Sequence, residues 1–233
     1  MCVDRRSLLR AVAASPVLTL LPDPASAAVS SAELDHVAAG STQVVVVTTK
    51  GLAATRGWLA AWERDGSGAW TRALGPWPAW VGVTGLAPAG TKHEGDGKTP
   101  VGSFPVPFLF GFKPLSGVHL RYRRVTGPWD KWCDVPSDPH YNTWIDTRYV
   151  HARATESLPR YDYAAVIGYN RHPVVRGAGS AIFLHQSRGK PTIGCVSLPI
   201  PELVQVLRWF QPAARPRIAI GVAGSLTRVS VAK

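Results

Sequence analysis

The chain has 233 residues, 45% of them hydrophobic, with 26 Lys and Arg against 15 Asp and Glu and a formal charge of +11. That size supports one good core, and no run of eighteen apolar residues exists to carry the mature chain across a membrane. The basic residues are scattered, and the densest cluster, Arg121-Tyr122-Arg123-Arg124, sits in no nucleic-acid motif, so the charge is read as suited to an anionic wall polymer rather than to nucleic acid.

In chain order, residues 1–27 read as an export leader. Arg5-Arg6-Ser7-Leu8-Leu9 with Arg10 supplies a positive n-region, Ala11 to Leu21 an apolar segment, and Ala25-Ser26-Ala27 a small-residue cleavage site. The paired arginines before two leucines resemble a twin-arginine signal, with a Sec signal as the alternative. Either route exports the protein to an extracytoplasmic compartment of a bacterium. The leader carries three Arg and two Asp, so its loss lowers the formal charge by one and the mature chain stays strongly basic. Cys2 leaves with it. Cys133 and Cys195 remain, and in an oxidising compartment two cysteines suggest a disulfide.

Residues 28–41, small and polar, read as a flexible linker with at best one helical turn. The domain proper spans 42–222, and residues 223–233 read as a C-terminal tail. Thr42 to Thr49 is a β-branched run with the character of a buried strand. Gly57 to Arg64 and Ala69 to Leu74, joined by Asp65-Gly66-Ser67-Gly68, read as a hairpin that Trp80 to Val83 extends into an antiparallel sheet. Lys92 to Pro107, KHEGDGKTPVGSFPVP, reads as loop. Its Gly97-Lys98-Thr99 has neither the glycine spacing nor the strand-to-helix context of a phosphate loop, which excludes nucleotide binding.

Asp130 to Asp146 is long and aperiodic, a candidate binding loop. His140, His151 and Asp134 have no HExxH or CxxC spacing around them, so no metal and no cofactor is expected. Ala164 to Tyr169 reads as a strand. Pro201 to Gln211 is the one helix expected, with an apolar stripe of Leu203, Val204, Leu207 and Phe210. Arg217 to Val222 closes the domain as a strand. The fold class that follows is mainly β with one or two short helices.

The chemistry gathers in Gly179 to Pro199, GSAIFLHQSRGKPTIGCVSLP. An apolar run delivers His185, a basic loop follows, and Thr192-Ile193-Gly194-Cys195 opens a second apolar run. A cysteine attacks carbonyls as thiolate, and an adjacent imidazole is the usual means of removing its proton near neutral pH. Gly194 lets a carbonyl approach the sulfur and leaves the Gly194 and Cys195 N–H groups as oxyanion donors. The bland alternative is a buried Cys acting as a small hydrophobe and a His satisfied in the core.

The His185 to Leu198 segment resembles the YkuD-type L,D-transpeptidase family (ErfK/YbiS/YcfS/YnhG), whose signature is a His followed by Ser/Thr-x-Gly-Cys. GDGKTPVGSFP, the Asp138-Pro139-His140-Tyr141-Asn142 stretch and VIGYN are similar too, and the likeness covers roughly Thr42 to Val222. The resemblance implies a β-sandwich-like sheet assembly with the site in a cleft, Cys195 as nucleophile and His185 as base. It also implies peptidoglycan stem peptides as partners. Tyr141 and Asn142 are the expected substrate contacts, a carboxylate contact is assigned to Arg188 or Lys190 because Ser197 cannot make one, and a monomer is expected. Ile193 and Ser197 depart from the pattern, standing where many members have His and Arg, and the ten-residue His-to-Cys interval is short. These departures bear on substrate contacts more than on chemistry. Transpeptidation, hydrolysis on the same site, and a non-catalytic wall-binding module all remain open at this point.

Overall fold

The computed structural model describes residues 29–232; the expected leader lies outside them. The elements run α1 (Ser31–Ala38), β1 (Gln43–Thr49), β2 (Arg56–Arg64), β3 (Trp70–Trp80), β4 (Leu86–Ala87), β5 (Thr99–Pro100), β6 (Gly102–Pro105), β7 (Leu109–Gly111) and β8 (Tyr122–Arg124). There follow β9 (Asp130–Trp132), β10 (Trp144–Asp146), β11 (Glu156–Ser157), β12 (Ala164–Val166), β13 (Phe183–Gln186), β14 (Val196–Leu198), α2 (Ile200–Trp209) and β15 (Arg217–Val222). Among the described residues, ten strands form one curled mixed sheet in the order β6-β15-β1-β2-β3-β14-β13-β12-β7-β8, and β10-β9-β11 form a small antiparallel sheet beside it. The mainly-β class expected from the sequence is the class observed.

β1 is buried along nearly its whole length because its alternate valines serve two cores. Val45 and Val47 enter the main core, which α2 closes, while Val44 and Val46 enter a smaller one beneath α1. The hairpin and the Trp80 run, separate in the sequence reading, are one strand pair. β3 continues through Gly75 to Trp80, and register shifts near Leu59 and Ala61 absorb the irregularity. In α2 the buried positions are Leu203, Val206 and Leu207, and the buried Phe210 that caps it continues the i, i+3, i+4, i+7 spacing. Val206 therefore takes the place the sequence reading gave to Val204, which is only half-buried.

The flexible linker expected over 28–41 is corrected. Ser31–Ala38 is an eight-residue helix opened by a full capping box, in which the Ser30 hydroxyl accepts from Glu33 N–H and the Glu33 carboxylate accepts from Ser30 N–H. Glu33 also accepts from Leu226 N–H at 3.1 Å, and His36 Nε2 lies 2.9 Å from the Val229 carbonyl. The helix thus ties down the segment after β15, where Leu226 and Val229 pack with Leu34 and Val37. Polar composition hid this, because the only apolar residues that face inward are Leu34, Val37 and Ala38, and the fourth buried position is Glu33. Leu34→Ala should cost about 2–5 kcal/mol, the usual scale for emptying a buried leucine site, read as a lower urea midpoint at unchanged slope.

Candidate active site

Strand alternation assembles the site. β13 sends Leu184 into the main core and Phe183 into a second, aromatic core that also holds Trp132, Tyr161 and Cys195. β14 sends Val196 and Leu198 into the main core, so Cys195 and Ser197 belong to the opposite face. β13 and β14 run parallel with His185 opposite Ser197 and Leu184 opposite Val196. His185 and the thiol therefore emerge on one face of adjacent strands, and both line a cleft of about 500 Å³.

The turn before β14 is built around Gly194. Its φ is +138°, and a Cβ there would come within 3.0 Å of the Lys98 carbonyl oxygen and 3.2 Å of Ile182 Cδ1, so both conformation and space require glycine. Two hydroxyls brace the Cys195 backbone. Thr192 Oγ1 donates to the Cys195 carbonyl at 2.6 Å and Thr99 Oγ1 to the same oxygen at 3.2 Å. Thr99 belongs to the GDGKTP stretch, so that loop supports the thiol from below. Gly194 N–H donates to Thr192 Oγ1 at 3.2 Å, so one of the two expected oxyanion donors is already engaged in the resting site.

Cys195 is 8% exposed. Its sulfur accepts from Phe183 N–H at 3.4 Å and donates to the Ala181 carbonyl at 3.4 Å. Burial pushes the thiol up to about 12, partly opposed by the Phe183 N–H. His185 Nδ1 lies 2.7 Å from the Gln186 carbonyl. Since a carbonyl only accepts, Nδ1 carries the hydrogen, and in the neutral ring Nε2 holds the free lone pair. Burial lowers the imidazole to about 4, the Gln186 bond opposes this, and Arg188 and Arg160 lower it further. Tyr161 packs edge-on against the ring at 5.0 Å, its hydroxyl donating to Glu156 at 2.7 Å. The resting pair is neutral thiol and neutral imidazole.

Charge in the cleft is divided. Glu94, Asp134 and Glu156 line it together with Lys92, Arg160, Arg188 and Lys190. Lys92 is buried and paired with Asp96 at 2.6 Å, and Arg160 reaches Glu156 at 3.4 Å. Arg188 and Lys190 make no ion pair among the described residues. Of the expected substrate contacts, Arg188 lies at the cleft. Tyr141 and Asn142 are instead 2% exposed, with the Tyr141 hydroxyl donating to Glu94 and the Asn142 amide fully used within the protein. Their place is in the wall behind the site.

The two cysteines are separate free thiols, and Cys133 donates to the Arg153 carbonyl at 2.9 Å. Asp134 is taken up by Thr155, His140 by Asp138, and no cluster of three or more potential metal ligands exists among the described residues. Nor is any helix among them long and apolar enough to cross a membrane. Sequence reasoning missed Thr99, Thr192, Ala181 and Tyr161. Thr192 carried a signal, as the Ser/Thr of the motif, whereas the others meet the site only through long-range pairing.

The fold is a mainly-β domain whose cleft presents a buried thiol and an imidazole on one face of adjacent strands. The family model described as the L,D-transpeptidase catalytic domain matches residues 44–220, and the chain belongs to that family. No curated protein and no solved structure matches it.

Proposed function

We propose that the protein is an exported transpeptidase acting on peptidoglycan stem peptides through a thioester at Cys195, forming cross-links or exchanging a terminal D-amino acid. The observation that carries this reading is the pairing of a buried thiol with a Nδ1-protonated imidazole on adjacent strands of one cleft, in a chain of the L,D-transpeptidase family. His185 Nε2 takes the thiol proton as sulfur attacks a stem-peptide amide carbon. The tetrahedral oxyanion is received by the Cys195 N–H, and by Gly194 N–H once it leaves Thr192. Collapse expels the D-amino acid, whose nitrogen takes the proton back from His185, and leaves a thioester. A second stem's amine, or water, then attacks the thioester, returning the thiol and giving cross-link or hydrolysis.

Arg188 and Lys190, cations at the cleft with no ion-pair partner among the described residues, suit the terminal carboxylate of the donor stem. The high net charge suits retention beside wall polyanions. Incubation with purified disaccharide-tetrapeptides, followed by mass analysis, tests the reading. The expected result is an acyl adduct on Cys195 and cross-linked or exchanged products. Trimmed monomers alone would assign a hydrolase, and an unmodified Cys195 after prolonged exposure would exclude acyl transfer.

A further inference from the structure

The nucleophile's proton is held by a residue that itself depends on Asn142. Ala181 has φ +53°, a left-handed conformation uncommon for a residue with a Cβ and kept only where the surroundings fix it. What fixes it is its N–H, donated to Asn142 Oδ1 at 3.2 Å. Asn142 is rigidly set: Trp132 Nε1–H donates to the same oxygen at 2.9 Å, and its two amide hydrogens go to the Tyr169 and Asn170 carbonyls at 3.1 and 2.6 Å. From that position the Ala181 carbonyl accepts from the Cys195 thiol. A thiol has one proton, so while it lies on Ala181 it does not lie on His185. Phe183 N–H, on the sulfur's other side, is the contact a thiolate would keep.

We infer that Asn142 is a positioning residue for the nucleophile. Acting through Ala181, it parks the Cys195 proton on a backbone carbonyl and holds the sulfur in place until a substrate N–H, entering the cleft that Ala181 lines, takes that carbonyl over. The inference rests on Cys195 being the reactive thiol of the proposed function, but its alkylation readout needs no stem peptide.

The full chain and its Asn142→Ala and Asn142→Ser variants, whose side chains are both too short to reach the Ala181 N–H, are alkylated with iodoacetamide from pH 6 to 11, modification at Cys195 is followed by mass spectrometry, and thermal melting is recorded alongside. The other groups facing the thiol are the same in all three proteins: His185 on β13, Glu156 on β11, Arg160 and Tyr161 just after it, and Lys92 from the loop. Farther out, Glu94, Asp134, Arg188 and Lys190 line the same cleft and are also unchanged. Freed of the carbonyl, the thiol should ionise more readily. Alkylation at pH 8 should rise about tenfold, with the profile moved about one pH unit down, while acyl transfer falls about tenfold because the sulfur is no longer held. A merely structural Asn142 would lower alkylation and transfer together with the melting temperature, or leave the profile superimposed on the parent's, and either outcome overturns the inference. If Asn142→Ala does not fold, Asn142→Ser decides by the same profile. A parent that is alkylated but never acylated would sink the transpeptidase reading and leave these profiles still decisive.

Discussion

Cys195→Ser should lower acyl transfer on the order of 10⁶-fold, to background, with the melting temperature near the parent's; Cys133→Ser should retain most activity. The first loss is that of a covalent nucleophile, for which no neighbouring group substitutes. A serine at 195 keeps a hydroxyl able to donate to Ala181 and accept from Phe183, so the fold is preserved while the chemistry is not. Cys133 follows β9, and its thiol donates to the Arg153 carbonyl. Burial raises its thiol as well, with Asp138 and Asp134 adding to the rise, and no imidazole is among the groups acting on it. Steady-state transfer on tetrapeptide donors, with intact-mass detection of the adduct, separates the two variants. Activity surviving in Cys195→Ser, or a Cys133–Cys195 disulfide found in active protein, would remove Cys195 from the mechanism.

Part of this site was legible from local sequence, because two apolar runs read as strands bring His185 and Cys195 to neighbouring strand ends and Gly194 leaves room beside the sulfur. The parallel pairing of those strands and the face they share come from the tertiary fold. The substrate contacts were less legible. Tyr141 and Asn142 sit in a loop whose composition looks like a binding surface, yet the β9–β11 sheet turns them inward, where tyrosine and asparagine satisfy buried partners. α1 escaped notice for the converse reason. A short helix with three apolar inward residues has little periodicity to display, and its stability comes from the capping box and from contacts with residues nearly two hundred positions away. Thr99 reaches the Cys195 carbonyl across 96 positions, which no local pattern encodes.

His185→Gln should reduce acylation about 10²-fold or more, the scale of losing a positioned general base, and it should also change how both rate and stability respond to pH. Because burial holds the imidazole near 4 instead of its ordinary 6.5, the base stays unprotonated in mildly acidic solution. The acid limb of the parent's kcat/KM should therefore lie near pH 4, with activity retained through pH 5 to 6, and it should vanish in the variant. The same depression fixes the sign of the stability effect. Between about 4 and 6.5 the unfolded chain binds a proton at His185 that the folded chain refuses. The folded state's advantage is complete above 6.5 and is lost as pH falls through that window. Cys195 acts in the opposite direction. Its thiol stays protonated up to about 12 when folded, against 9 ordinarily, so above 9 the unfolded chain releases a proton that the folded chain keeps, and stability declines there. The pair is best tolerated between 6.5 and 9. Melting curves taken from pH 4 to 8 should show the gap between parent and His185→Gln narrowing as pH falls, because only the parent carries the imidazole's penalty. A gap constant with pH, together with an acid limb near 6.5, would mean that His185 is solvated in solution and is not the buried neutral base.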